Sequence, residues 1–158
     1  MSGRWIVLAG VALLAASRAQ AQDTPAPIVF RSGAWVVRRA IDPMTDRPSC
    51  VATPLASPFR VEVDSSSLYI AIRPGGVQAV TVRYGEEPAA PLRIATDVER
   101  QLGAVALEGE DFAHVLRVAR LRVQVLTRFN TGILVDLDLH GALEARQFLL
   151  ASPVCRAP

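Results

Sequence analysis

Two stretches of strict alternation constrain this chain more than any other feature. In residues 121–127 (LRVQVLT) and 133–139 (ILVDLDL) an apolar side chain recurs at every second position. In an extended strand that spacing gathers the apolar set on one face and the Arg, Gln and Asp set on the other. Residues 128–132 (RFNTG) between them carry turn formers. A hairpin follows, with Val125 opposite Val135, Val123 opposite Leu137 and Leu121 opposite Leu139. Its outer face then pairs Gln124 with Asp136 and Arg122 with Asp138.

The same period runs through residues 59–64 (FRVEVD), 68–73 (LYIAIR) and 78–84 (QAVTVRY). The last two flank Pro74-Gly75-Gly76 and predict another hairpin, with Ile70 facing Val80 and Leu68 facing Val82. Shorter strands are expected at 35–38, from Cys50 onward, and at 104–107. Thr96-Asp-Val-Glu99 has capping-box spacing and predicts one or two helical turns with Val98 and Leu102 inward. Phe112, Val115, Leu116 and Ala119 form one helical stripe over 110–119, with His114 pairing with Glu110 on its polar side. A terminal helix is expected over 141–150. The predicted fold is mainly β: an antiparallel β-sandwich-like domain with two or three short α-helices.

The N-terminus predicts the compartment. Arg4 precedes the apolar run 5–16 (WIVLAGVALLAA), and Ala19-Gln20-Ala21 supplies a small-x-small cleavage pattern. The run is shorter than the ~20 apolar residues that span a bilayer. A signal peptide over 1–21, cleaved after Ala21, is therefore expected, followed by a flexible leader at 22–27 and a single β-rich domain at 28–158. The product is expected in the periplasm or outside the cell, without a transmembrane segment. Removing 21 of 158 residues leaves 137, with 15 basic residues (17 less Arg4 and Arg18) against 15 acidic ones. That balance gives no global field toward nucleic acid or a membrane.

Every basic residue is arginine. A Schiff-base lysine, a pyridoxal-phosphate site and a P-loop lysine are excluded, because each needs a primary amine. Cys50 and Cys155 are the only two cysteines. In an exported chain such a pair is expected to form a disulfide, and neither belongs to the C-x-x-C of a redox enzyme. Residues 41–50 (IDPMTDRPSC) hold two acids, Met44 and Cys50. Their prolines mark a turn, with Asp42 and Asp46 bonding nearby amides.

Three constellations bear on chemistry. Asp136, Asp138 and His140 alternate along one strand and share a face, a set of divalent-metal donors or hydrolase groups. They stand in a line roughly 6–7 Å apart, whereas a metal needs convergent ligands. The expectation is thus a solvated face, with no metal, cofactor or catalytic residue. Arg117, Arg120, Arg122 and Arg128 form a basic stretch suited to phosphate, or to dispersal among helix, strand and loop. Leu126, Phe129 and Leu134, beside Arg122 and Arg128, put apolar groups on an otherwise polar face. They mark a possible partner surface, unless a helix or the N-terminal strand covers it.

The pattern Trp35-x-Val37-x-Arg39, then a turn and Cys50, resembles the opening of invasion-associated locus B proteins. The order of helix at 111–119, strands LRVQVLT and ILVDLDL, and His140-Gly141-Ala-Leu entering a helix is similar too. The resemblance implies an exported, non-enzymatic, β-rich envelope protein, and brings no catalytic residues with it. The expected role is an accessory or binding protein acting through a surface on an unknown protein or envelope component. An exported metal-dependent or hydrolase-type enzyme using Asp136, Asp138 and His140 is the alternative, as is an inhibitor of another enzyme.

Overall fold

The computed structural model describes residues 26–155. The signal peptide expected at 1–21 and most of the leader lie outside them.

Alternation does what the sequence implies, and builds two antiparallel sheets. The larger has the order β1 (Ile28–Ser32), β2 (Trp35–Ile41), β3 (Pro48–Pro54), β4 (Val61–Val63), β5 (Ser67–Ala71), β8 (Ala104–Glu108). The smaller runs β10 (Gly132–Asp138), β9 (Arg120–Leu126), β6 (Ala79–Tyr84), β7 (Arg93–Ile94). Trp35, Val37, Val63, Leu68, Ile70 and Leu107 from the first meet Val80, Val82, Val123, Val125, Val135 and Leu137 from the second in one buried core. The helices are α1 (Asp97–Leu102), α2 (Gly109–Val115) and α3 (Ala142–Ala151). This is a mainly β sandwich with three short helices. No helix among the described residues is long and apolar enough to cross a membrane.

Two expected pairings differ. β5 and β6 are not a hairpin: β5 pairs with β4 and β8, and β6 with β7 and β9. Leu68 and Ile70 do share the buried core with Val80 and Val82, but from the opposite sheet. Matching apolar faces stabilise two facing sheets as well as two adjacent strands, and the Pro74-Gly75-Gly76 turn carries the chain from one sheet to the other. The β9–β10 hairpin does form, in a register two residues from that expected: Val125 lies opposite Ile133, Val123 opposite Val135 and Leu121 opposite Leu137. Thr127 sets this register. Its amide donates to Thr131 O at 3.0 Å, and its hydroxyl accepts from the Phe129 and Thr131 amides at 3.3 and 3.2 Å. Asn130 takes the left-handed φ of 56° that closes the short loop. A slip of two keeps every side chain on its expected face.

α1 turns a different side inward. Its capping box forms on Thr96 and Glu99, but Val98 and Leu102 are exposed and Glu99 is only 1% exposed. The Glu99 carboxylate accepts from Arg93 Nη1 and Nη2 at 2.7 Å each, from Thr96 N at 2.9 Å and from Ala106 N at 3.0 Å. It therefore joins β7 of one sheet to β8 of the other. Burial pushes its pKa up, but the Arg93 guanidinium and the two amides outweigh that and bring it from 4.5 down to about 2.

The stretch 41–50 is the β2–β3 connection. Asp42 Oδ1 accepts from Met44 N at 2.8 Å, Asp46 adopts φ 55°, and Met44 is exposed. Cys50 on β3 bonds to Cys155, which follows α3, across a separation of 105 residues.

Replacing both cysteines by serine is expected to lower the unfolding free energy by about 4–5 kcal/mol, the chain-entropy value for a loop of that length. Urea denaturation measures it. Because the folded pKa of Glu99 is depressed, its contribution is full above pH 4.5 and is lost as pH falls toward 2. Denaturation series at descending pH should lose on the order of 3 kcal/mol more in the native chain than in Glu99→Gln over that window.

Candidate functional site

The outer face of the four-stranded sheet follows from the same alternation. Its cross-strand rows are Ile94, Ala79, Leu126 and Gly132; then Thr81, Gln124 and Leu134; then Arg83, Arg122 and Asp136; then Arg120 and Asp138. The face is apolar at the end near the β9–β10 loop and charged at the other. Among the described residues the helices pack on strands of the other sheet: α3 on β1, β2 and β3, α2 on β5 and β8, α1 on β8. Leu134 is left 63% exposed and Ile94 75% exposed. Of the five residues read as a partner surface, Arg122, Leu126 and Leu134 share this face. Arg128 and Phe129 belong to the loop at its end.

The charged half borders a groove of about 690 Å³ lined by Glu86, Ala119, Arg120, Asp136, Asp138 and His140. The two-residue shift in register puts Arg122, rather than Gln124, opposite Asp136, and Arg120, opposite Asp138, reaches Asp136 diagonally. Arg120 Nε donates to Asp136 Oδ1 at 2.7 Å and Nη2 donates to Oδ2 at 2.5 Å, while Arg122 Nε stands 3.7 Å away. The Arg120 fork holds the Asp136 carboxyl below the usual range. Asp138 Oδ1 accepts from the His140 amide at 2.9 Å and lies 2.6 Å from His140 Nδ1. The His140 amide, then its imidazole, hold that carboxyl low as well.

A carboxylate only accepts, so Asp138 fixes the proton on Nδ1 and leaves Nε2 as the acceptor of the neutral ring. The dyad is able to take up a proton. The groove lining offers it no Ser, Thr or Cys nucleophile. Asp136 is engaged by arginine and Asp138 by His140, and no three His, Cys, Asp or Glu side chains among the described residues converge as a metal set.

His140 is placed by a close approach of backbones. Its carbonyl accepts from Ala34 N at 2.9 Å, and Trp35 Nε1 donates to Asp138 O at 2.9 Å. Gly141, at φ 96°, packs so tightly on the β1–β2 turn that a Cβ there would stand 2.0 Å from Ser32 O. Only glycine fits.

A second polar cluster joins β6 to α2. The Tyr84 and His114 rings stack at 4.1 Å and 9°. The Tyr84 hydroxyl donates to Asp111 Oδ1 at 2.8 Å, and His114 Nε2 lies 2.9 Å from Glu87 Oε1. His114 thus pairs with Glu87 from the loop after β6, not with Glu110 on its own helix. Tyr84 supplies the flat surface that turns the ring that way. Sequence reasoning missed this cluster, and no local spacing connects residues 84, 87, 111 and 114.

No protein-family profile matches the chain, nor does any curated protein or solved structure.

Burial, with the acceptor Asp111 beside it, pushes the Tyr84 phenol above its ordinary value of 10. Alkaline titration followed by tyrosinate absorbance should show one of the two tyrosines resisting ionisation. Asp111→Asn should bring that phenol down, and an unchanged titration would contradict the contact.

Proposed function

We propose that this chain is an exported, non-enzymatic accessory or binding protein that works through the outer face of its four-stranded sheet. The observation that carries the reading is the apolar end of that face, where Leu134 and Ile94 stand largely in solvent on its two edge strands, with Leu126 and the buried Ala79 between them. Exposed apolar groups rimmed by charged rows have the anatomy of a protein contact, an apolar centre with a polar margin. Arg83, Arg122 and the Arg120–Asp136 pair form that margin. The Cys50–Cys155 bond supports a location in the periplasm or outside the cell. So does the resemblance to invasion-associated locus B proteins, whose members are exported.

The enzymatic alternative has one observation in its favour, the Asp138–His140 dyad bordering the groove. It lacks a nucleophile in that lining. Photo-crosslinking from position 134 in envelope extract, compared with position 62 on the other sheet, tests the binding reading. A discrete adduct from 134, lost in Ile94→Arg and kept in His140→Ala, is the expected result. A hydrolytic activity that disappears in His140→Ala would replace the binding reading with the enzymatic one.

A further inference from the structure

The outer face of the six-stranded sheet carries a recess of its own, and the strand register builds it. Val61, Ile70 and Val105 point into the core, so their neighbours along β4, β5 and β8 point out. Glu62 lies opposite Tyr69 in one outward row, and Ala71 lies opposite Ala104 in the next. Ala71 N donates to Arg60 O at 2.9 Å, which sets Arg60 at the end of that second row. Ile72 N donates to Gly103 O at 2.8 Å. The pairing thus continues past β5, and Arg73 comes beside Leu102, the last residue of α1. Neither alanine reaches beyond its Cβ, so their row is low between a tyrosine on one side and a leucine on the other. These residues line one open recess of about 240 Å³.

Its walls are preformed. The Tyr69 hydroxyl donates to Glu108 Oε1 at 2.9 Å, which steadies the ring. Leu102 is 58% exposed, yet the buried Glu99 anchors its helix from the other side. The charges at the rim are unequal. Arg60 is committed to Glu62, with Nε 2.6 Å from Oε1. Arg73 makes no hydrogen bond or ion pair among the described residues. Its guanidinium is the uncompensated charge of the recess.

We propose that this recess binds a compact monocarboxylate with an apolar or aromatic body. The body lies over Ala71 and Ala104, between the Tyr69 ring and Leu102, and the carboxylate meets Arg73. A guanidinium fork receives a carboxylate through two parallel hydrogen bonds. A flat ring gains from stacking on Tyr69 and covers Leu102, which a bare anion would leave in water. The volume falls below the roughly 300–1,000 Å³ of sites for drug-sized ligands, so the occupant is about one ring in size. The recess belongs to the opposite sheet from Leu134 and does not rest on the partner-binding reading of that face.

Titrating the isotope-labelled, oxidised protein with phenylacetate, followed by amide chemical shifts, tests the proposal. Acetate, phenylacetamide and phenethylamine serve as comparisons. The expected result is saturable shifts at Ala71, Arg73, Leu102 and Ala104, with phenylacetate bound more tightly than the other three. Arg73→Gln should weaken phenylacetate about tenfold, the worth of a charge-assisted hydrogen bond, and barely change phenylacetamide. Ala71→Leu, which fills the floor from the solvent side, should remove binding of both. Leu134→Asp should leave it intact, with circular dichroism confirming that each variant is folded. Absence of saturable shifts, or shifts centred on Arg83 and Arg122 of the other sheet, overturns the proposal. So does equal affinity for the acid and its amide, or undiminished phenylacetate binding in Arg73→Gln or in folded Ala71→Leu.

Discussion

A sandwich of two sheets has no hydrogen-bond ladder between its layers, so its edges open unless something else holds them. Here both edges of the smaller sheet are fastened to the larger one by buried or half-buried polar contacts. At one edge the Trp35 indole donates to Asp138 O, and Ala34 N donates to His140 O. At the other, Glu99 gathers the Arg93 guanidinium from β7 and the Ala106 amide from β8. Each fastening also satisfies a backbone group at a strand edge that would otherwise lack a partner. The carboxylate is the costlier device, since burial opposes its charge. Its four accepted bonds are what keep it ionised.

That closure decides what remains available for function. The elements that might have covered the smaller sheet are used elsewhere: α3 lies against β1, β2 and β3, and the disulfide ties its C-terminal side to β3. The smaller sheet is left with one face in the core and one in solvent. Glu99 pins α1 beside β7 and β8, which brings Leu102 to the rim of the recess over Ala71 and Ala104. The sheet face and that recess are both consequences of where the fastenings fall.

The strands were legible because period-two alternation reports which face a side chain takes, and burial enforces it. Pairing partners were less legible, for two reasons. Leu68 and Ile70 match Val80 and Val82 equally well as neighbours in one sheet or as opposite walls of a core, and the local pattern does not separate these. A register slip of two is also silent in the pattern, and only the Thr127 and Asn130 turn chemistry fixes it. α1 misled for a different reason: in six residues the capping box was visible, but the bond from Glu99 to Arg93 crosses between elements. The same holds for Tyr84, Glu87, Asp111 and His114.

The shift in register also changes the meaning of the Asp136, Asp138 and His140 series. With Arg122 opposite Asp138, both acids would have been steered by neighbours in the middle of the sheet. With Arg120 opposite Asp138, the Arg120 fork reaches diagonally to Asp136, and Asp138 is released to His140. The three groups therefore separate into an ion pair and a dyad instead of converging. Their shared face is real, but the charge of Arg120 lies between the acids that a metal would need together. What alternation placed in a row, one arginine divides.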